Sequence, residues 1–116
     1  MCVIAACEKR PMTKDEFQNC FDSNSHGCGF AWRENGLVRM EKGFMDLESA
    51  WNFYETIKNI LPHVAHFRIR TAGDVCQQLT HPFIVSDCSP LILSYTGKNP
   101  VLFHNGVYWN WESEIP

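Results

Sequence analysis

The sequence predicts an α+β fold built mainly from antiparallel strands. Three features carry that expectation. Strand-like apolar runs outnumber helical ones. Two of these runs, 29–34 and 37–42, flank Asn35-Gly36, the pair that a two-residue type I′ hairpin turn requires. One longer stretch carries apolar side chains three and four apart, at Leu47, Ala50, Trp51, Tyr54, Ile57, Ile60 and Leu61, which is the spacing of a core-facing helix.

The elements follow in order. Cys2 to Ala6 reads as a short apolar strand ended before Pro11. Thr13-Lys14-Asp15-Glu16 fits a capping box, so a helix should run to about Cys20. Asp22 to Gly27 is polar and turn-rich. The hairpin comes next, with Gly43 at its end. Asp46 or Ser49 caps the second helix, and Pro62 stops it after Leu61. Val64 to Ile69 reads as a strand, and a loop with Thr71, Gly73 and His81-Pro82 follows it. Leu91 to Tyr95, Val101 to His104 and Val107 to Trp111 are the later strand candidates, with Asn105-Gly106 as a second tight turn.

Bulk composition narrows the function. A chain of 116 residues points to one domain, 1–116, and 45% hydrophobic residues suffice for a core. A net charge of −3 argues against nucleic acid as a partner. No apolar run reaches the length of about 18 residues that a membrane helix needs, and the N-terminus lacks the features of a signal peptide. Six cysteines occur without a Cys-x-x-Cys pair, which favours a reduced, cytoplasmic protein over a disulfide framework. His26 with Cys28, and His63 with His66, do not repeat a paired-ligand spacing, so no metal is expected.

Cys2, taken alone, is a small apolar residue at the head of a strand. Removal of Met1 would give it a second character. It would then carry a thiol and a free α-amine, a nucleophile beside its own base. If Met1 stays, that amine is an amide and the base is lost.

Five pieces in order alter the reading of Cys2. They are Cys2 itself, 24–30 (NSHGCGF), 66–73 (HFRIRTAG), 80–83 (THPF) and 102–107 (LFHNGV). Together they resemble the class II glutamine amidotransferase domain, a member of the N-terminal-nucleophile hydrolases, and most of all its small stand-alone and phage-borne versions. The resemblance spans nearly the whole chain. It implies an αββα sandwich of antiparallel sheets, incomplete here. It implies amide hydrolysis through a Cys2 thioester, with L-glutamine as substrate, glutamate and ammonia as products, and no cofactor.

Roles carry over residue by residue. Cys2 matches the nucleophile. Asn105 and Gly106 match the oxyanion hole, where a side-chain amide and a backbone N–H meet the developing charge. Arg68 matches the clamp on the glutamine α-carboxylate, for which a guanidinium fork is suited. Thr71 and Gly73 match the loop lining the pocket, and His81 matches a position supporting the substrate. Arg70 alternates with Arg68 and either helps or competes. His66 reads as structural. Gly27 and Gly29 allow backbone crowding near the nucleophile.

The chain also departs from the family. Ala72 stands where a histidine is common, Leu79 where an asparagine is common, and His26 where an aspartate is common. The downstream acidic residue that holds the glutamine α-amine has no counterpart, since the chain ends ten residues past Gly106. Three origins fit this: a fragment, a truncated gene, or a protein completed by a partner. An incomplete sandwich would expose strand edges and favour self-association. Family members pass ammonia to a synthetase or transferase partner. Two alternatives to glutamine hydrolysis stand beside it. One is a non-catalytic module binding an amino acid or a partner. The other is a thiol amidohydrolase acting on another amide.

Overall fold

The computed structural model describes residues 2–71, 73–88 and 90–105. Their fold is α+β. Two helices lie on one face of a five-stranded antiparallel sheet, and a two-stranded antiparallel sheet follows later in the chain. The elements are β1 (Val3–Cys7), α1 (Lys14–Ser23), β2 (Cys28–Glu34), β3 (Leu37–Phe44), α2 (Leu47–Ile57), β4 (His63–Phe67), β5 (Phe83–Ile84), β6 (Ser94–Gly97) and β7 (Val101–Leu102). The main sheet has the order β1-β4-β2-β3-β6, and β5 pairs with β7. The expected strand 107–111 lies outside the described residues.

Local signals set the ends of several elements. Asn35 and Gly36 both take positive φ, 54° and 76°, as a type I′ turn demands. Thr13 caps α1, and Glu16 returns a carboxylate to the Thr13 N–H, completing the capping box. Asp46, rather than Ser49, caps α2 by accepting from the Ser49 N–H.

Other boundaries differ from expectation. Helix α1 runs past Cys20 to Ser23, and the Asn24 N–H closes it on the carbonyls of Cys20 and Phe21. Helix α2 ends at Ile57, not Leu61: the Ile60 N–H tightens onto the Ile57 carbonyl, and Pro62 disfavours helical geometry at Leu61. Strand β3 continues through Gly43 to Phe44. Cys28 pairs with Phe44 and Gly29 with Lys42, so Gly43 is the extra residue of a bulge at φ +90°. Strand β4 ends at Phe67, because Arg68 bonds to the 26–27 loop instead of a strand, its N–H donating to the Gly27 oxygen and its oxygen accepting from the His26 N–H. The predicted strand at 91–95 shifts to Ser94–Gly97, where its pairing with β3 begins, and that at 101–104 shortens to its first two residues.

The core lies between helices and sheet. Phe17 and Phe21 of α1 and Ala50, Tyr54 and Ile57 of α2 are buried against Cys28, Phe30 and Trp32 of β2 and Ala65 and Phe67 of β4. Phe17 packs its ring 5.0 Å from both Tyr54 and Phe67. The opposite face of the sheet is covered too. Lys42 is buried there, its Nζ donating to the carbonyls of Gln78 and Pro82 at 3.1 and 3.0 Å. The backbone of His81 presses on Gly29, where a Cβ would sit 1.7 Å from the His81 oxygen. Cover on both faces explains why β2 is buried along its first five residues. Among the described residues, no helix is long and apolar enough to cross a membrane.

Candidate active site

Strand β1 begins beside the end of β4, with Val3 opposite Phe67. That register brings Cys2 next to Arg68 and Ile69. The Cys2 Sγ receives the Ile69 N–H at 3.4 Å and lies 3.5 Å from the Ile69 oxygen. A cavity of about 350 Å³ opens there, a volume suited to a small molecule. Cys2, Arg68, Thr71, Gly73 and His81 all line it. Ile69, Leu79, Phe83 and His104 form the rest of its wall.

Arg68 is held from two directions. Its backbone N–H donates to the Gly27 oxygen at 2.8 Å, and its Nη1 donates to the Asp74 oxygen at 2.7 Å. The side chain is nearly buried, so the guanidinium presents its charge in a restricted volume. Gly73, at φ +78°, lets the loop turn closely over that group; a Cβ there would stand 2.9 Å from Leu79 Cδ1 and 3.7 Å from Arg68 Nη2. Arg70 does not line the cavity. It is exposed, and its N–H donates to His26 Nδ1 at 2.9 Å.

His81 stacks flat on His66, 4.0 Å between centroids and 4° between planes. Burial is the main cause that pushes both rings down, His66 to about 4 and His81 to about 3, and the neighbouring positive groups add to it. Both are therefore neutral at pH 7. The hydrogen bonds select the tautomers. His66 Nε2 lies 3.2 Å from the His104 carbonyl oxygen, so it carries the proton. His81 Nδ1 receives the His104 N–H at 3.1 Å, so its proton is on Nε2. Lys42 lies 4.3 Å from the Phe83 ring centroid, and burial lowers it to about 8.

Asn105 directly follows His104 and is exposed. Gly106, the other expected oxyanion donor, lies outside the described residues. Gly27 and Gly29 do permit crowding, but the crowding is against Thr80 and His81 rather than the nucleophile. His66, read as structural, touches His81, Phe103 and the His104 backbone. Sequence reasoning missed His104 and Phe83 as cavity walls. The only signal for His104 was its place before Asn105.

The arrangement puts a thiol, a cationic fork and a neutral imidazole around one small cavity. Chemically it can hold a carboxylate and expose a nearby carbonyl carbon to a sulfur nucleophile. A second hollow holds Cys7 and Arg10, but that arginine is bound through both terminal nitrogens to Glu16, at 2.8 and 3.0 Å. Among the described residues, no group of three or more His, Cys, Asp or Glu side chains could hold a metal ion. A scan of family models, a search of curated proteins and a search of solved structures each returned no match to this chain.

Proposed function

We propose that this chain is a thiol amide hydrolase of the class II glutamine amidotransferase type, releasing ammonia and glutamate from L-glutamine. One observation carries the reading. Cys2, Arg68, Thr71, Gly73 and His81, drawn from positions 2 to 81 of the chain, line the same cavity. The antiparallel sheet under two helices, with a small second sheet, is compatible with part of an αββα sandwich.

Once Met1 is removed, the Cys2 α-amine takes the thiol proton. The sulfur attacks the glutamine side-chain carbonyl carbon, and Asn105 with the Gly106 N–H stabilises the oxyanion. The C–N bond breaks, and ammonia leaves with the proton held by the α-amine. Water, deprotonated by the same amine, then cleaves the thioester to glutamate and restores the thiol. Arg68 holds the substrate α-carboxylate, and Thr71 and Gly73 shape the pocket. The ammonia goes to a synthetase or transferase partner.

Intact mass spectrometry after incubation with a glutamine analogue bearing an electrophile at the amide position tests this. Loss of Met1 and one adduct, mapped to Cys2, is the expected result. A protein that keeps Met1, or that forms no Cys2 adduct, contradicts the reading and favours a non-catalytic binding module. An adduct only with analogues of other amides moves the substrate to another amide.

A further inference from the structure

His66 and His81 engage the same residue from two sides. His66, fully buried on β4, donates from Nε2 to the His104 oxygen at 3.2 Å. His81 accepts the His104 N–H on Nδ1 at 3.1 Å. The Phe103 ring stacks on His66 with centroids 6.1 Å apart. Both backbone groups of residue 104 and the ring of residue 103 are thus tied to one pair of imidazoles.

The pair itself is anchored in the sheet. Gly29 of β2 leaves room for the His81 oxygen and nothing larger. Lys42 of β3 donates to the carbonyl of Pro82, the next residue. Filling space alone does not account for His66. Among the described residues its buried Nδ1 has no hydrogen-bond partner, a cost that an apolar side chain would avoid. Its Nε2–H makes the bond that an apolar side chain could not.

We infer that His66 and His81 form a two-ring clamp on residue 104, and that as positioning residues they set Asn105 relative to the Cys2 thiol. The catalytic half of this statement rests on the amide-hydrolase reading above. The clamp works only while both rings are uncharged. A protonated His81 could not accept the His104 N–H, and two charged rings in stacking contact would repel. Arg68 favours the neutral form of both rings and Lys42 that of His81, while the bond from His66 to the His104 carbonyl works in the opposite direction.

Four variants test it: His81→Leu and His66→Leu remove the bonds, while His81→Asn keeps an acceptor and His66→Gln keeps a donor. The first readout needs no activity. The residue 104 amide, followed by hydrogen exchange, should be protected in the wild type and in His81→Asn, and lose protection in His81→Leu. Rapid exchange of that amide in the wild-type protein overturns the clamp. The second readout is glutamine hydrolysis. Both leucine variants should lower kcat by roughly 100- to 1,000-fold, the scale of losing one oxyanion donor, with KM changed by less than about 3-fold. The Asn and Gln variants should recover most of it. Leucine variants with wild-type kcat, or with changes in KM alone, overturn the positioning role. A wild-type protein that turns over no amide contradicts the amide-hydrolase reading instead, and the exchange data then decide the clamp by themselves.

Discussion

His81 and His66 lie ring on ring, 4.0 Å between centroids, although 15 residues separate them in the chain. Each is pushed down from an ordinary value near 6.5, chiefly by burial. The folded state therefore binds fewer protons than the unfolded state below that pH. Their stabilisation is complete above about 6.5 and is lost as pH falls toward 4 for His66 and 3 for His81. We expect the urea midpoint to drop between pH 6.5 and 4.5, with each ring contributing on the order of 2 kcal/mol. His63, also pushed down by burial, adds in the same direction, and Glu16 starts to contribute only below 4.5. Denaturation curves at the two pH values decide it, and coincident midpoints would refute it.

Cys2→Ala should abolish both the adduct and glutamine turnover while leaving the fold intact. Among the described residues the thiol makes two long hydrogen bonds, both with the Ile69 backbone, so its removal should cost less than about 1 kcal/mol. A drop of several kcal/mol in denaturant stability would show that Cys2 serves the fold, as its place at the head of a strand first suggests.

Gly29→Ala and Gly36→Ala should behave differently. At Gly29 the added methyl meets the His81 carbonyl, so His81 must move. A stability loss of about 2 kcal/mol or more should accompany a lower kcat. At Gly36 nothing lies within 4 Å of the added atom, and only the φ of +76° opposes it. About 1 kcal/mol with unchanged activity is expected. Thermal melts and assays of both proteins compare them directly; equal effects would count against His81 being held by Gly29.

Tyr54→Phe probes the core rather than the cavity. The Tyr54 hydroxyl receives the Met12 N–H at 2.9 Å and lies 2.8 Å from His63 Nε2. His63 Nδ1 lies 3.0 Å from the Ile60 oxygen and so carries the proton, which leaves Nε2 to accept from the tyrosine. Deleting the hydroxyl strands two buried partners. We expect a loss of about 1–3 kcal/mol in equilibrium unfolding, with kcat/KM unchanged. A neutral substitution would mean water replaces the hydroxyl.

Arg68→Lys keeps the charge and discards the planar fork. If Arg68 clamps a carboxylate, KM for glutamine should rise at least ~10-fold while kcat falls less. Steady-state kinetics separates the two parameters. An unchanged KM would remove Arg68 from substrate binding.

The sequence by itself determined the features whose partners lie within a few residues. Thr13 and Glu16 cap one helix, Asp46 caps the other, and Asn35-Gly36 turns the hairpin, because those hydrogen bonds and dihedrals are local. The candidate cavity was legible only through the order of five motifs and the family they resemble, which singled out Cys2, Arg68, Thr71, Gly73 and His81. Tertiary structure decided the rest. Strand β4 stops at Phe67 because the 26–27 loop competes for the next backbone groups, and Phe83 pairs with Leu102 across a long loop. His66 reaches His104 over 38 residues, and Cys2 meets Ile69 over 67. No local propensity encodes such contacts. They exist only when the sheet register and the cover on its second face bring distant backbone groups within hydrogen-bond distance.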